Sequence, residues 1–424
     1  ADRPRAQPPG RRGTAPRSRL SGRCAVFIPA WREHGVIAAT VRHALHAWPQ
    51  RDLRLYVGCY RDDVATLAEV MRGSEGDRRV RIVVHDVTGP TCKADCLNRL
   101  YRALGDDETR EGVRARMVVL HDAEDMVDPA ALALLDGALD HADFVQLPVI
   151  ALPDPGSPLV AGHYVDEFAE AHAKAMVVRS ALGQGIPGAG VGCAIARGWL
   201  ARLDIQAGAK GPFPAGALTE DYELGLRSAA LGARATFLRV RTTSGRLIAT
   251  RSYFPDTMPA AIRQKSRWIH GIALQGWDRL GWRGSPAAVW MQLRDRRGPF
   301  AAFLLAIAYL LLVVTVIELI LTQAGVLVTR PLTPGMQLLL WLNLVALVCR
   351  LAARALFTAR EFGPIQGLLA VPRLIVSNTV AIVAARRALF AYIRTLRGAR
   401  AAWEKTEHTA HPAFTGSELR EGTA

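Results

Sequence analysis

The chain has 424 residues, enough for more than one ordinary domain and a substantial core. With 53 Lys and Arg against 38 Asp and Glu it carries a formal charge of +15, which admits anionic lipid, nucleic acid or small anionic substrates as partners. Half of the residues are apolar and the mean hydropathy is positive, which favours a membrane. Basic residues cluster at the start and beside the apolar runs, so a nucleic-acid role is disfavoured.

The six cysteines (Cys24, Cys59, Cys92, Cys96, Cys193 and Cys349) are scattered and make no disulfide framework. Cys92 and Cys96 lie four apart with no second pair to complete a zinc site, so a reducing, cytoplasmic setting is expected. An opening Ala rather than Met leads us to expect a fragment or a processed chain. Residues 1–22, rich in Pro, Arg and Gly, show no signal peptide and are expected to be disordered.

From Arg23 the pattern alternates strand and helix. Strands are predicted at 24–29, 53–60, 80–87, 117–120 and 144–150. Helices are predicted at 35–48, 64–71, 93–104 and from Pro129, where Pro suits a first turn. Such βα repeats imply a mostly parallel sheet covered on both faces, with ligands bound beyond the carboxyl ends of the strands. That rule gathers Pro29-Ala30-Trp31-Arg32-Glu33, Tyr60-Arg61-Asp62-Asp63 and His121-Asp122-Ala123-Glu124-Asp125.

In the last of these, an apolar strand breaks off into three acids. Hard carboxylate oxygens suit Mg²⁺ or Mn²⁺ carrying a phosphorylated substrate, and the same pattern also suits a solvated acidic turn. Thr91-Cys92-Lys93-Ala94-Asp95 opens a helix whose free N–H groups, with Lys93, suit a diphosphate. Neither G-x-G-x-x-G after the first strand nor G-x-x-x-x-G-K-[ST] occurs, which speaks against a nicotinamide cofactor or a P-loop.

A longer helix is predicted at 164–182, followed by the small-residue loop Gly188-Ala189-Gly190-Val191-Gly192-Cys193 and a short strand. Those glycines permit a turn or let a substrate approach the backbone. Thr219-Glu220-Asp221-Tyr222-Glu223 starts a helix to Ala230; on capping grounds alone Glu220 and Asp221 read as structural. The helix 259–277 carries Gln264, Arg267 and Trp268 on one face, which alone reads as a packed amphipathic edge.

Two apolar runs, 300–322 and 336–357, are long enough to span a bilayer at ~20 residues each. Arg350 and Arg354 are expected to snorkel from the second. The flanking arginines put the α/β domain in the cytoplasm. The stretch 365–393 contains Arg373 and Asn378 and precedes the basic 394–400 segment. Charge bias favours interfacial amphipathic helices there, with a third span as the alternative.

Taken in order, acids at a strand end, a lysine at a helix start, Thr-Glu-Asp, Gln-x-x-Arg-Trp and membrane runs resemble the membrane-embedded family-two glycosyltransferases of the cellulose, chitin and hyaluronan synthase kind. More closely, the chain is similar to the catalytic half of the phage adsorption protein B (NfrB) family. The match is carried by Val26-Phe27-Ile28-Pro29-Ala30-Trp31-Arg32-Glu33, Gly89-Pro90-Thr91-Cys92-Lys93-Ala94-Asp95, His121-Asp122-Ala123-Glu124-Asp125 and Thr219-Glu220-Asp221-Tyr222-Glu223. Further on it is carried by Tyr253-Phe254-Pro255-Asp256-Thr257, Gln264-Lys265-Ser266-Arg267-Trp268 and Trp403-Glu404-Lys405-Thr406-Glu407-His408.

The resemblance implies a GT-A-type, Rossmann-like α/β domain over 23–295, a membrane region over 296–400 and a polar tail over 401–424. It implies donor contacts from Pro29, Ala30, Glu33, Asp62 and Lys93, and a divalent ion on Asp122 with Glu124 or Asp125. Glu124 stands where the family's D-x-D motif usually has Asp. Asp221 would be the general base, and Glu220, Gln264, Arg267 and Trp268 would hold the acceptor and pyrophosphate. Lys405 to His408 would fall where related synthases keep a loop over the nucleotide.

The expected activity is inverting, Mg²⁺- or Mn²⁺-dependent transfer from a nucleotide sugar, UDP-linked, to a growing polysaccharide at the bacterial inner membrane. Its partners would be a glycan or lipid-linked acceptor, inner-membrane lipids and an outer-membrane export component. Non-processive glycosylation of a lipid, or a non-catalytic phage-receptor component, are the alternatives.

Overall fold

The computed structural model describes residues 19–89, 91–328, 331–398 and 411–414. Most of the disorder expected for residues 1–22, the Trp403–His408 motif and most of the polar tail lie outside those residues.

In chain order the elements are β1 (Arg23–Pro29), α1 (Ile37–Ala47), β2 (Leu53–Tyr60), α2 (Val64–Ser74), β3 (Val80–His85), α3 (Lys93–Glu111), β4 (Ala115–Leu120) and α4 (Ala131–Ala138). Next come β5 (Phe144–Gln146), β6 (Val149–Ala151), α5 (Gly162–Glu170), α6 (Met176–Ala181), β7 (Cys193–Ala196), α7 (Arg197–Gln206), α8 (Glu220–Ala230), β8 (Ala235–Phe237) and β9 (Thr250–Ser252). The chain continues with α9 (Met258–Trp268), α10 (Gly276–Leu280), α11 (Pro286–Arg296), α12 (Gly298–Gln323), α13 (Pro334–Phe362) and α14 (Pro364–Leu396).

The main sheet has the order β3-β2-β1-β4-β7-β5-β8. β1, β2, β3 and β4 run parallel, as the βα repeats require, while β7 lies antiparallel to both β4 and β5. In β1, Cys24 to Ile28 are all buried, because helices cover both faces. One apolar core joins the sheet to α1 and α4 through Ile37, Val41, Trp48 and Leu132; the other joins it to α3, α7 and α8 through Leu97, Leu100, Leu200 and Leu224. Each such fully buried aliphatic side chain contributes about 1.5–3 kcal/mol.

The strand expected over 144–150 is two strands. Pro148, with no N–H for a ladder, divides β5 in the main sheet from β6, which pairs with β9 in a second sheet of two strands. The helices expected at 164–182 and 259–277 are each interrupted by a π-helical turn, at Ala171–Ala175 and Ile269–Gln275. Such turns insert a residue without altering the apolar pattern that predicts the helix.

α12, α13 and α14 are all long and apolar enough to cross a membrane. The stretch 365–393, favoured as interfacial amphipathic helices with a third span as the alternative, lies in one continuous helix of 33 residues with Pro372 inside it. Within it Arg373 is buried and paired with Asp166 of α5. Arg354 departs from expectation in the same way, being buried beside Glu170 at 3.7 Å instead of snorkelling.

Candidate active site

The carboxyl ends of β1 and β4, the start of α3, the start of α8 and the helix α9 converge on one cavity of about 630 Å³. Its wall includes Pro29, Ala30, Glu33, Lys93, Asp122, Glu124, Asp125, Glu220, Asp221, Gln264, Arg267 and Trp268. Pro29 and Trp268, 239 positions apart in sequence, thus meet where an α/β sheet binds ligands. Asp62 does not line the cavity; it is exposed and accepts a hydrogen bond from the Gly89 N–H at 2.9 Å.

Lys93 stands at the first position of α3, whose cap is a reciprocal pair between Cys92 and Asp95. From there its ammonium reaches 2.5 Å from Asp122 Oδ1 and 3.7 Å from Glu220 Oε1. Burial opposes its charge, but Asp122, Glu220 and Asp221 together raise its pKa above the ordinary lysine value. The lysine expected to hold a diphosphate therefore also bridges the acidic loop to the start of α8.

The acidic turn is held from beneath. Thr40 Oγ1 donates to the Ala123 carbonyl, and His43 Nε2 contacts the Val127 carbonyl at 2.9 Å. Asp125 is 1% exposed, and its Oδ2 takes His121 Nδ1 at 2.9 Å and the Asp122 N–H at 3.0 Å. Burial pushes its pKa up. Asp125 thus orients Asp122, while Asp122 and Glu124 are partly exposed on the cavity wall.

Among the described residues no group of three or more His, Cys, Asp or Glu side chains could hold a metal ion. Asp122 and Glu124, two hard carboxylates of one turn on the cavity wall, are donors of the type that a divalent ion takes.

At α8, Glu220 is 5% exposed, and burial, opposed by Lys93, moves its pKa up to about 7. Asp221 is raised by burial as well, and its Oδ1 accepts the Tyr222 N–H at 2.8 Å. The loop before β7 closes on it: a Cβ on Gly190, whose φ is +80°, would stand 2.6 Å from Asp221 Oδ2. Glycine at 190 therefore serves both the left-handed backbone and the close approach. Behind Asp221, the Tyr222 hydroxyl donates to Asp295 Oδ2 at 3.0 Å, and Arg179 holds the same carboxylate at 2.8 Å.

On α9, Gln264 Oε1 is buried with no protein donor among the described residues. Trp268 packs edge-on to Tyr164, Phe168 and Phe254, with Lys265 Nζ 4.7 Å from its ring centroid. Lys265 also binds both oxygens of Glu167 at 2.6 Å. The chain-order reading gave no site role to Glu167, Phe168, His172 or Asp295, all of which line the cavity. The i, i+4 spacing of Phe168 and His172 was the available signal, and a core face gives the same spacing.

Residues 22–271 match the family described as glycosyltransferase like family 2. The chain is 32% identical over 421 residues to bacteriophage adsorption protein B of Escherichia coli K12, and equally to bacteriophage N4 adsorption protein B of Escherichia coli O157:H7. Each alignment covers 92% of this chain and 55% of the relative, so the chain spans about half the length of these relatives. Among solved structures, a mannosyltransferase from Pyrobaculum calidifontis, in complex with GDP-Man and Mn²⁺, superposes with a TM-score of 0.51 at 16% identity. That superposition covers 87% of this chain and 90% of the mannosyltransferase, and supports a shared GT-A-like fold.

Proposed function

We infer that this chain, which belongs to glycosyltransferase-like family 2, transfers a sugar with inversion from a UDP-linked donor to a growing polysaccharide at the bacterial inner membrane. The observation that carries the reading is the meeting of Lys93, Asp122, Glu124, Asp221, Gln264 and Trp268 on one cavity. We divide the chain into a cytoplasmic transferase domain at 23–295, a membrane region at 296–400 and a polar tail. The basic flanks of α12 and α13 support that orientation. Export through an outer-membrane partner belongs to the same reading.

Pro29, Ala30 and Glu33 form the floor at the end of β1 that receives the nucleotide, and Asp62, off the cavity wall, would reach the donor only from outside it. Lys93, at a helix start, neutralises diphosphate charge. Asp122 and Glu124 would hold Mg²⁺ or Mn²⁺, and Asp125 fixes Asp122. When bound, the ion supplies Lewis-acid stabilisation of the departing diphosphate.

Asp221 takes the proton from the acceptor hydroxyl, and its raised pKa makes it a stronger base than an ordinary aspartate. The acceptor oxygen then displaces the nucleoside diphosphate in one step. Gln264 Oε1, buried without a protein donor, is available to an acceptor hydroxyl or a water. Glu220 and Arg267 stand on the pyrophosphate side, and Trp268 gives the sugar a flat apolar face.

The test is to incubate detergent-solubilised protein with a panel of UDP- and GDP-sugars and Mg²⁺ or Mn²⁺, measuring released nucleotide and product size. The reading predicts metal-dependent nucleotide release with one donor and a polymeric product. A single-sugar lipid product would replace polymer synthesis with lipid glycosylation. No release with any donor would leave the role that the relatives' names indicate, in bacteriophage adsorption, without catalysis.

A further inference from the structure

α14 touches both helices that wall the acceptor side of the cavity. At one end Arg373 pairs with Asp166 of α5 at 3.1 Å, with the two side chains 1% and 0% exposed. The same guanidinium donates to the Pro158 carbonyl and to Gln366 Oε1, each at 2.6 Å. Thr358 of α13 donates to the same Asp166 oxygen at 3.1 Å. The fit admits no side chain at Gly162, where a Cβ would lie 2.3 Å from Arg373 Nε.

Further along α14, the Ala384 carbonyl accepts the Ser266 hydroxyl of α9 at 3.2 Å. Between these points Val380 enters one small apolar core with Tyr164 and Val165 of α5 and Ala261 of α9.

These contacts sit directly behind cavity residues. Asp166 precedes Glu167 and Phe168, and Ser266 lies between Gln264 and Arg267. Glu167 and Lys265 then tie α5 to α9 across the front. Mutual geometry on that wall is thereby fixed from α14.

We propose that the Arg373–Asp166 pair is a positioning joint by which α14 sets the placement of α5 and α9, and with it the acceptor wall, leaving the donor side to the sheet. This rests on the transferase reading. The pair touches no reacting atom, and both of its members act through their neighbours.

A buried pair broken on one side also destabilises, so two variants are compared in the full chain in detergent. Arg373→Met leaves Asp166 stranded, whereas Asp166→Leu/Arg373→Met removes both charges. Nucleotide release from the UDP- and GDP-sugar panel without acceptor reports the donor side, incorporation of labelled sugar reports the acceptor side, and amide hydrogen exchange reports the helices.

The double variant is expected to regain the wild-type melting temperature and donor KM, with incorporation lowered about 10²-fold, as for a small misplacement of reacting groups. Exchange should rise over 162–175 and 258–275 and stay unchanged in β1 to β4. Full recovery of incorporation together with stability, or unchanged exchange in both segments, overturns the joint. If wild-type protein releases no nucleotide at all, the transferase reading fails and the exchange pattern alone decides the joint.

Discussion

Replacing Lys93 by Met tests the centre of the site. Its ammonium lies 2.5 Å from Asp122 and 3.7 Å from Glu220, at 18% side-chain exposure. With an effective dielectric of about 20, those separations correspond to attractions of about 7 and about 4–5 kcal/mol. Desolvation of the ammonium offsets much of this, so removing one partner of a buried set is expected to cost about 3–5 kcal/mol of stability. Glu220, already moved up to about 7, loses its main compensating charge and becomes protonated at neutral pH.

Donor affinity should fall as well, by about 10²–10³-fold in kcat/KM if the ammonium meets the diphosphate. Thermal melting and nucleotide release over a range of donor concentrations measure the two losses separately. The double variant Lys93→Met/Asp122→Asn also removes the carboxylate nearest the ammonium, and should recover part of the stability without recovering donor KM. A Lys93→Met protein with unchanged melting and unchanged donor KM would refute the assignment.

Two further outcomes follow from the geometry. Glu124→Gln should raise the Mg²⁺ or Mn²⁺ concentration needed for half-maximal activity by at least about tenfold. Asp125→Asn should instead lower stability by about 1–3 kcal/mol, since it weakens the hold on His121 and the Asp122 N–H; the reverse pattern in a metal titration would exchange their roles. His163 and His172, pushed down to about 4 by burial, bind fewer protons folded than unfolded. Their stability contribution is present above the ordinary value of about 6.5 and is lost as pH falls toward 4, at most about 3 kcal/mol each. Melting across that range checks it; a curve that rises on acidification from neutral pH would contradict the sign.

Much of the catalytic domain was legible because its strands are buried on both faces and therefore read as apolar runs. Cys24 to Ile28 and Leu53 to Tyr60 need no context to be recognised. Strand direction is not written locally, so the antiparallel setting of β7 was invisible in Cys193 to Ala196. Pro148 was visible but was read through, and the two π-helical turns leave no periodic trace.

The burial of Arg373 was not legible in the sequence, because its partner Asp166 lies 207 positions away. In the site, the residue types pointed to phosphate and metal chemistry, while the choice between Glu124 and Asp125 depended on which carboxylate turned inward. Only the three-dimensional structure shows Asp125 buried under the turn and Asp62 off the cavity wall.

Asp221 is the residue proposed as the base that activates the acceptor. Asp221→Asn preserves shape and removes the basic oxygen, so turnover of the accepted nucleotide sugar should fall about 10²–10⁴-fold. Donor affinity, measured by nucleotide-sugar binding to the same protein, should stay near wild type. An Asp221→Asn protein that turns over at the wild-type rate would contradict the account.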